Sequence, residues 1–452
     1  MDPTLLRKYN VPVPRYTSYP TVPFWKEGID VNGWKEMFRE EFLKNNVQDG
    51  ISVYVHLPFC ESLCTYCGCN KKITTNHSVE AEYLEVVAKE WKLNRQLMSE
   101  PPIIREIHLG GGTPTFFSPS NLELLIESIT RKAIVHPRHE FSIEGHPNNT
   151  TKEHLKTLYR LGFRRISYGV QDLDPEVQRI INRIQPLENV QRATEDAREV
   201  GFKSVNFDLI YGLPKQTLQG IEKTIRQTIE LKPDRIAFYS YAHVPWTSRG
   251  QRLFDESDLP SAEEKLELYL KGKELLTKAG YVDIGMDHFA LPGDDLAEAW
   301  LNGRLHRNFM GYTTQNTSFL LGLGVSAISD IGVAFAQNRK SLHEYYEAVG
   351  ANELPVFRGY FLNDEDISFR KYILNIICNG FTKLNPTDLT VLREISFPEL
   401  QRLKEDGLIE FDEKEVMVNS SGRHFIRNIS SAFDLHLQRN KRESKPLFSH
   451  AI

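Results

Sequence analysis

Four of the chain's five cysteines, Cys60, Cys64, Cys67 and Cys69, fall within ten residues, directly after the β-branched run from Ile51 to Val55; the fifth, Cys378, stands far downstream. Thiolates spaced C-x3-C-x2-C on one loop can wrap a metal cluster, because a compact turn gathers the sulfurs and metal bonding keeps each deprotonated. A cluster that normally takes four cysteines is then left with one open corner, where an iron can bind and reduce a cofactor. Structural zinc is the competing reading, yet such sites usually join two well-separated C-x2-C pairs. No second pair exists here. A disulfide framework belongs to secreted chains, and Met1-Asp2-Pro3-Thr4 opens without a charged and then apolar signal pattern.

The elements that must position this loop are legible from hydrophobic periodicity. Residues 1–50 read as a Pro-rich arm, residues 11–23, and an amphipathic helix over 34–44. Short apolar runs predict strands at 51–56, 106–110, 141–144, 165–170, 205–211 and 235–240. Between them the 3.6-residue pattern predicts helices at 79–98, 121–131, 152–161, 187–200 and 218–231. Six strand-helix repeats predict an α/β fold with a parallel sheet curved into an incomplete barrel. In such sheets ligands sit at the carboxyl ends of the strands. Tyr54 and the cysteine loop, Gly111 to Thr113, Glu144, Gln171, Asp208 with Tyr211, and Ala242 all fall at or just beyond a predicted strand end. Gly111 and Gly112 would let a ligand approach the backbone, although a tight turn uses glycine equally well.

Beyond about residue 245 the repeat dissolves. A helix at 262–279, a strand-like 281–286 and a glycine-punctuated stretch at 303–332 are expected to finish the barrel and cover its mouth. The most membrane-like segment, 319–335, is interrupted by Ser326, Ser329, Asp330 and three glycines, so it reads as a buried strand and turn. From 364 onward the pattern predicts helices at 370–378, 386–395 and 397–406, strands at 408–411 and 415–418, and a last helix. That order is winged-helix-like, a DNA-binding architecture by default, but no concentrated basic recognition helix is present. The alternative is a cap on the barrel, with the basic end, residues 436–445, as a solvated tail. The expected domains are therefore 1–50, 51–362 and 363–452.

Composition sets the outer bounds. The 452 residues are 40% hydrophobic and 25% charged, ordinary for a globular protein with a large core. A net charge of −5 argues against a broad nucleic-acid face. A cytoplasmic location, with reduced thiols and no membrane or nucleic-acid partner, is the expectation.

The chain also resembles a known family, through Cys60 to Cys69 as C-x3-C-x2-C-x-C, Pro14-Arg15-Tyr16-Thr17-Ser18-Tyr19-Pro20-Thr21 and Gly110-Gly111-Gly112-Thr113-Pro114-Thr115. Gly169-Val170-Gln171-Asp172, Asp208-Leu209-Ile210-Tyr211-Gly212-Leu213-Pro214 and Gly285-Met286-Asp287-His288-Phe289 follow in the same order. Gly311-Tyr312-Thr313-Thr314 and Gly324-Val325-Ser326-Ala327-Ile328-Ser329 complete the set. These motifs resemble the oxygen-independent coproporphyrinogen III oxidases of the radical S-adenosylmethionine (SAM) superfamily. The resemblance implies a partial (β/α)6 TIM-like barrel and a 4Fe-4S cluster on Cys60, Cys64 and Cys67, with SAM on the fourth iron. It implies SAM contacts at Gly111, Gly112 and Glu144, a second SAM near Thr113, Gln171, Arg183 and Asp208, and further cofactor contacts at Tyr54, Ala242 and Ile328, which chemistry alone would read as apolar core. Phe309 joins the cofactor contacts, Tyr66 would stack near adenine or shield the cluster, and Cys69 is the candidate catalytic residue on the substrate side.

The implied reaction turns two propionates of coproporphyrinogen III into vinyl groups, giving protoporphyrinogen IX without oxygen. Reductive SAM cleavage would yield a 5'-deoxyadenosyl radical that takes a hydrogen from the propionate carbon next to the ring. An electron donor, a terminal acceptor and a monomeric enzyme are expected. Rivals within the superfamily are a haem chaperone, which typically lacks the N-terminal motif and the fourth cysteine, and a haem-opening methyltransferase. Two positions depart from the family pattern, His146 before Pro147 and Met310 after Phe309. Arg307, His288 and Lys215 are candidate partners for the substrate's propionates, and Arg15, between prolines, is a candidate fixed cation on a stiff extended arm.

Overall fold

The computed structural model describes residues 3–245 and 248–440. Each of the six expected parallel strands is present: β1 (Ile51–Leu57), β2 (Ile103–Gly111), β3 (Ile134–Gly145), β4 (Phe163–Gln171), β5 (Ser204–Tyr211) and β6 (Arg235–Ser240). They lie side by side in chain order. Each connection carries a helix whose apolar stripe covers the sheet. Helix Pro119–Thr130, for example, buries Leu122, Leu125, Ile126 and Ile129 at helical spacing and is capped by the Ser118 hydroxyl. A seventh strand, β7 (Leu320–Leu323), runs parallel to β1 on its other side.

Antiparallel strands extend the sheet at both ends, His288–Ala290 and Val282–Gly285 beyond β6, and Ile328–Asp330, Ala334–Asn338 and Val356–Phe361 beyond β7. Its edges are Lys26–Glu27 and Val282–Gly285, so the barrel stays open. The architecture is the incomplete α/β barrel that the repeats predict. The membrane-like stretch at 319–335 is β7, a short return strand and the start of the next. No helix among the described residues is long and apolar enough to cross a membrane.

Pairing sets which side chains share the interior. His108 of β2 lies opposite Ser142 of β3, Glu144 opposite Ser167 of β4, and Ser167 opposite Asn206 of β5. Because side chains alternate along a strand, the same face also carries Glu106, Asp208, Ala237 and Tyr239. The other face buries Ile107, Leu109, Ile143, Ile166, Val205 and Phe207 in the main core.

A second core joins the C-terminal residues to both the arm and the barrel's last elements. Phe369, Ile373, Ile376 and Phe433 pack with Tyr9, Tyr16 and Tyr19, and with Leu296, Leu305 and Tyr312. The helix expected at 370–378 begins earlier, as Asp364–Asn379, where Asn363 and Asp366 form a capping box. The two helices expected at 386–395 and 397–406 have no loop between them. A 3-10 turn (Pro386–Asp388), a helical turn (Leu389–Val391) and a π turn (Leu392–Ser396) run straight into Phe397–Glu405. Pro398, which has no N–H to donate, sits in that first turn, where a wide π turn tolerates it. The expected strands form at Ile409–Phe411 and Glu415–Val418, joined by an unforeseen third, Phe381–Lys383.

The basic end is not the solvated tail expected from its composition. His436 Nε2 lies 2.7 Å from Asp366 Oδ1, and the Arg439 guanidinium forks onto Glu365 at 2.6 and 2.9 Å. Residues 441–445 lie outside the described residues. A short helix at Pro3–Tyr9 was likewise not foreseen.

Candidate active site

The cysteine loop leaves the carboxyl end of β1, is closed at its base by the short parallel pair Phe59–Cys60 with Lys72–Ile73, and is tied down further by hydrogen bonds to its backbone. Thr65 N–H donates to the Ile181 carbonyl at 3.0 Å, and Asn182 Nδ2 donates to the Leu63 carbonyl at 2.8 Å. Gln251 Nε2 donates to the Tyr66 carbonyl at 3.0 Å, and Lys71 Nζ to the Cys67 carbonyl at 3.0 Å. Cys67 N–H closes a turn onto the Cys64 carbonyl at 3.2 Å. These bonds aim four thiols at one cavity of about 340 Å³, lined also by Tyr66, Gly111 to Pro114, Glu144 to His146, Gln171, Arg183, Asp208 and Tyr239.

Each thiol meets its own polar neighbour. Thr113 Oγ1 donates to Cys60 Sγ at 3.3 Å, and Arg183 Nη1 to Cys64 Sγ at 3.5 Å. The Cys69 thiol donates to Cys67, which with Lys71 nearby pulls the Cys67 thiol down to about 6. Burial holds the Cys60 thiol up at about 11. Among the described residues no three Cys, His, Asp or Glu side chains close on a single-ion site. The donor set, three thiols on one loop, fits a 4Fe-4S group.

The floor is backbone. A Cβ at Gly112 would meet the Pro58 carbonyl oxygen at 2.6 Å and Cys60 Sγ at 3.0 Å, so only glycine lets this strand pass beneath the loop. Gly111, at φ +121°, donates its N–H to Glu144 Oε2 at 3.2 Å. Asp208 accepts from Ser167 Oγ and Asn206 Nδ2, each at 2.9 Å. Burial, opposed by those bonds, lifts its carboxyl to about 6. Arg183 points into the cavity while Nη2 donates to the Gly169 carbonyl at 2.6 Å. Burial, with Arg183 near, keeps His146 neutral by lowering it to about 2.

Eleven of the predicted residues thus share one cavity: Cys60, Cys64, Cys67, Cys69, Tyr66, Gly111, Gly112, Thr113, Glu144, Gln171 and Arg183, with Asp208 as a twelfth. Four others lie outside its lining. Tyr54 bonds His56 Nδ1 at 3.1 Å and meets Phe309 edge-on at 4.9 Å. The Ala242 carbonyl accepts from Gln251 at 3.2 Å. Ile328 packs against Trp25, Phe335 and Leu362. Lys215 is paired with Asp258 at 2.6 Å, away from both cavities.

Sequence reasoning missed a smaller cavity, about 130 Å³, inside the barrel. It shares Glu144, Ser167, Asp208 and Tyr239 with the first and is closed by His288, Asn308, Met310 and Tyr312. Strand alternation alone could have pointed to it, since Glu106, His108, Ser142, Arg165 and Asn206 are polar at positions facing inward.

Residues 54–228 match the family model described as the radical SAM superfamily. The chain is 40% identical to the oxygen-independent coproporphyrinogen III oxidase of Helicobacter pylori, over 95% of this chain and 96% of that protein. It is 39% identical to the Escherichia coli protein of the same name, covering 100% of this chain and 98% of the other. The solved structure of coproporphyrinogen III oxidase (HemN) from Escherichia coli, a radical SAM enzyme, superposes with a TM-score of 0.89 at 37% identity, over 96% of this chain and 99% of that one. With relatives 39–40% identical over nearly the whole of both chains, the chain belongs to the oxygen-independent coproporphyrinogen III oxidase family of radical SAM enzymes.

Proposed function

We propose that the protein converts two propionate side chains of coproporphyrinogen III to vinyl groups by radical SAM chemistry, giving protoporphyrinogen IX. The observation that carries this reading is the placing of Cys60, Cys64 and Cys67 around one cavity at the strand ends, in a chain whose relatives match it end to end. Those three cysteines would hold the 4Fe-4S cluster that the superfamily implies. When bound, cluster and SAM supply a one-electron reductant and a hydrogen-abstracting radical; the protein supplies orientation, dryness and charge.

For each propionate the balance is simple. A hydrogen atom leaves the carbon next to the ring, the bond to the carboxylate carbon breaks, carbon dioxide departs, and one electron passes to an acceptor. The chain's own groups serve this in stages. Gly111 and Gly112 admit SAM close to the backbone, while Tyr54 and Glu144 flank it, Glu144 offering a carboxylate to ribose or ammonium. Thr113, Gln171, Arg183 and Asp208 are assigned to a second SAM, with Arg183 suited to a carboxylate and Asp208 to a diol or ammonium, and Ala242 and Ile328 remain further cofactor contacts. Tyr66 and Phe309 exclude water, and Cys69 faces the substrate from beside Cys67.

The reading extends to a monomeric, cytoplasmic enzyme with separate electron donor and acceptor, no membrane or nucleic-acid partner, and divisions at about residues 50 and 362. The test is anaerobic. Protein reconstituted with iron and sulfide, given reductant, SAM and coproporphyrinogen III, is expected to release a product lighter by two carboxylates. SAM cleavage with an unaltered tetrapyrrole would overturn the substrate assignment.

A further inference from the structure

Of the cations in and around the barrel cavity, Arg165 and Arg235 line it and each is paired with a carboxylate, whereas Arg15 and Arg307 lie outside its lining. Arg15 Nη1 is held by Asp287 at 2.5 Å, Arg235 by Asp294 at 2.7 Å, and Arg165 by Glu140. Arg307 has no carboxylate beside it among the described ion pairs. Its Nη2 donates to the Arg15 carbonyl at 3.3 Å, whereas Nε and Nη1 are buried with no acceptor. The guanidinium lies 4.8 Å from the centre of the Tyr312 ring. His288 meets the same ring edge-on at 5.1 Å, and its Nδ1 is also buried without a partner.

Three buried, unused donors around the Tyr312 ring, which lines the barrel cavity, are a costly arrangement for a protein to keep. Each buried, unpaired polar group costs about 1–3 kcal/mol, and more when charged. A planar guanidinium fork fits a carboxylate in two bonds, and the aromatic face beneath it fixes its plane. His288 is held neutral, lowered to about 3 by burial and then by Arg307, so it offers a donor without adding a second charge. His288 and Tyr312 line the barrel cavity, whose walls Glu144, Ser167, Asp208 and Tyr239 are common to the cysteine cavity. Neither Arg307 nor His288 lines the cysteine cavity itself. Arg307 itself lines a separate space of about 290 Å³ against helix Asp364–Asn379.

We propose that Arg307, with His288 beside it, binds a carboxylate of the substrate that does not react, anchoring the tetrapyrrole outside the cysteine cavity. This rests on the coproporphyrinogen reading given above. The reacting carbon must face the cysteine cavity, so a carboxylate at Arg307 belongs to a different side chain. Binding energy gained there holds the reacting group in register.

The test separates anchoring from folding. Arg307→Met removes the fork at similar volume, and Arg307→Lys keeps the charge but not the geometry; Lys215→Ala serves as the surface control. The KM for coproporphyrinogen III is expected to rise roughly tenfold or more in Arg307→Met, as loss of a hydrogen-bonded charge pair implies, and by less in Arg307→Lys. Thermal midpoints without substrate should hold or rise, because an uncompensated buried charge has gone. SAM cleavage without porphyrin should match wild type, and Lys215→Ala should leave KM unchanged. A folded Arg307 variant with wild-type KM overturns the proposal, and so does failure of both variants to fold, which would make Arg307 structural. If wild-type protein converts coproporphyrinogen while the variants keep its KM, only the anchor fails; if wild-type protein neither binds nor converts it, the substrate reading fails too.

Discussion

At the scale of single residues, Asp208 shows how the cavity stores a ligand preference in a titration. Its carboxyl is raised to about 6, chiefly by burial, against an ordinary value near 3.8. The sign follows from linkage: the neutral form is favoured in the fold, so its contribution is complete below about pH 4 and lost as pH climbs through 6. At pH 8 the ionised carboxylate then costs stability of about 3 kcal/mol, and a bound ammonium or diol offsets that cost. Asp208→Asn keeps acceptance from Asn206 and can donate to Ser167. It is expected to raise the thermal midpoint of ligand-free protein at pH 8, to leave it unchanged at pH 4, and to weaken SAM binding. Equal midpoints at pH 8, measured by calorimetry, would contradict this account of the site.

Among the elements, helix Val79–Arg95 illustrates how the barrel is clamped behind the cysteine loop. Glu90 is buried and accepts from Gly324 N–H at 2.7 Å, Asn338 Nδ2 at 2.6 Å and the Tyr345 hydroxyl at 2.6 Å. Burial, opposed by these bonds, lifts it to about 7. Glu90→Ala strands three donors and opens a cavity, so a loss of about 3 kcal/mol is expected in urea unfolding. A loss below about 0.5 kcal/mol would show that the clamp does not matter.

The same scale explains what the sequence made legible. The six parallel strands and their helices were readable because buried apolar runs alternate with clean 3.6-residue stripes. The strand-end rule then located eleven of the twelve cavity residues, Arg183 coming only from the family resemblance. β7 was not recognised as a parallel barrel strand, since Leu320-Leu321-Gly322-Leu323 is short and follows no helix of its own. Its place beside β1 is fixed at long range, where a Cβ at Gly322 would lie 2.3 Å from the Ile328 carbonyl oxygen. Phe309 and Ile328, on a hairpin approach and an antiparallel strand, sit where no repeat could have positioned them. The strand Phe381–Lys383 and the π turn Leu392–Ser396 depend on tertiary packing that local patterns do not encode.

For the whole molecule, the second core decides the behaviour, because it is assembled from chain segments far apart in sequence. Tyr16 donates to Asp434 at 3.1 Å, Arg370 pairs with Asp330 across to the sheet extension, and Tyr312 donates to the Ile377 carbonyl at 3.2 Å. Arm, barrel and C-terminal module are therefore expected to melt together, as one calorimetric transition. Two transitions separated by roughly 10 °C would mean that the module unfolds by itself. The central claim concerns the cysteines, and iron analysis with electron paramagnetic resonance on anaerobically reconstituted protein tests it most directly. Wild type and Cys69→Ser should carry about four irons and, once reduced, a cluster signal that SAM perturbs, while Cys60→Ser, Cys64→Ser and Cys67→Ser should lose it. A full cluster signal that persists in any of those three variants, or zinc in place of iron in the wild type, would contradict the account.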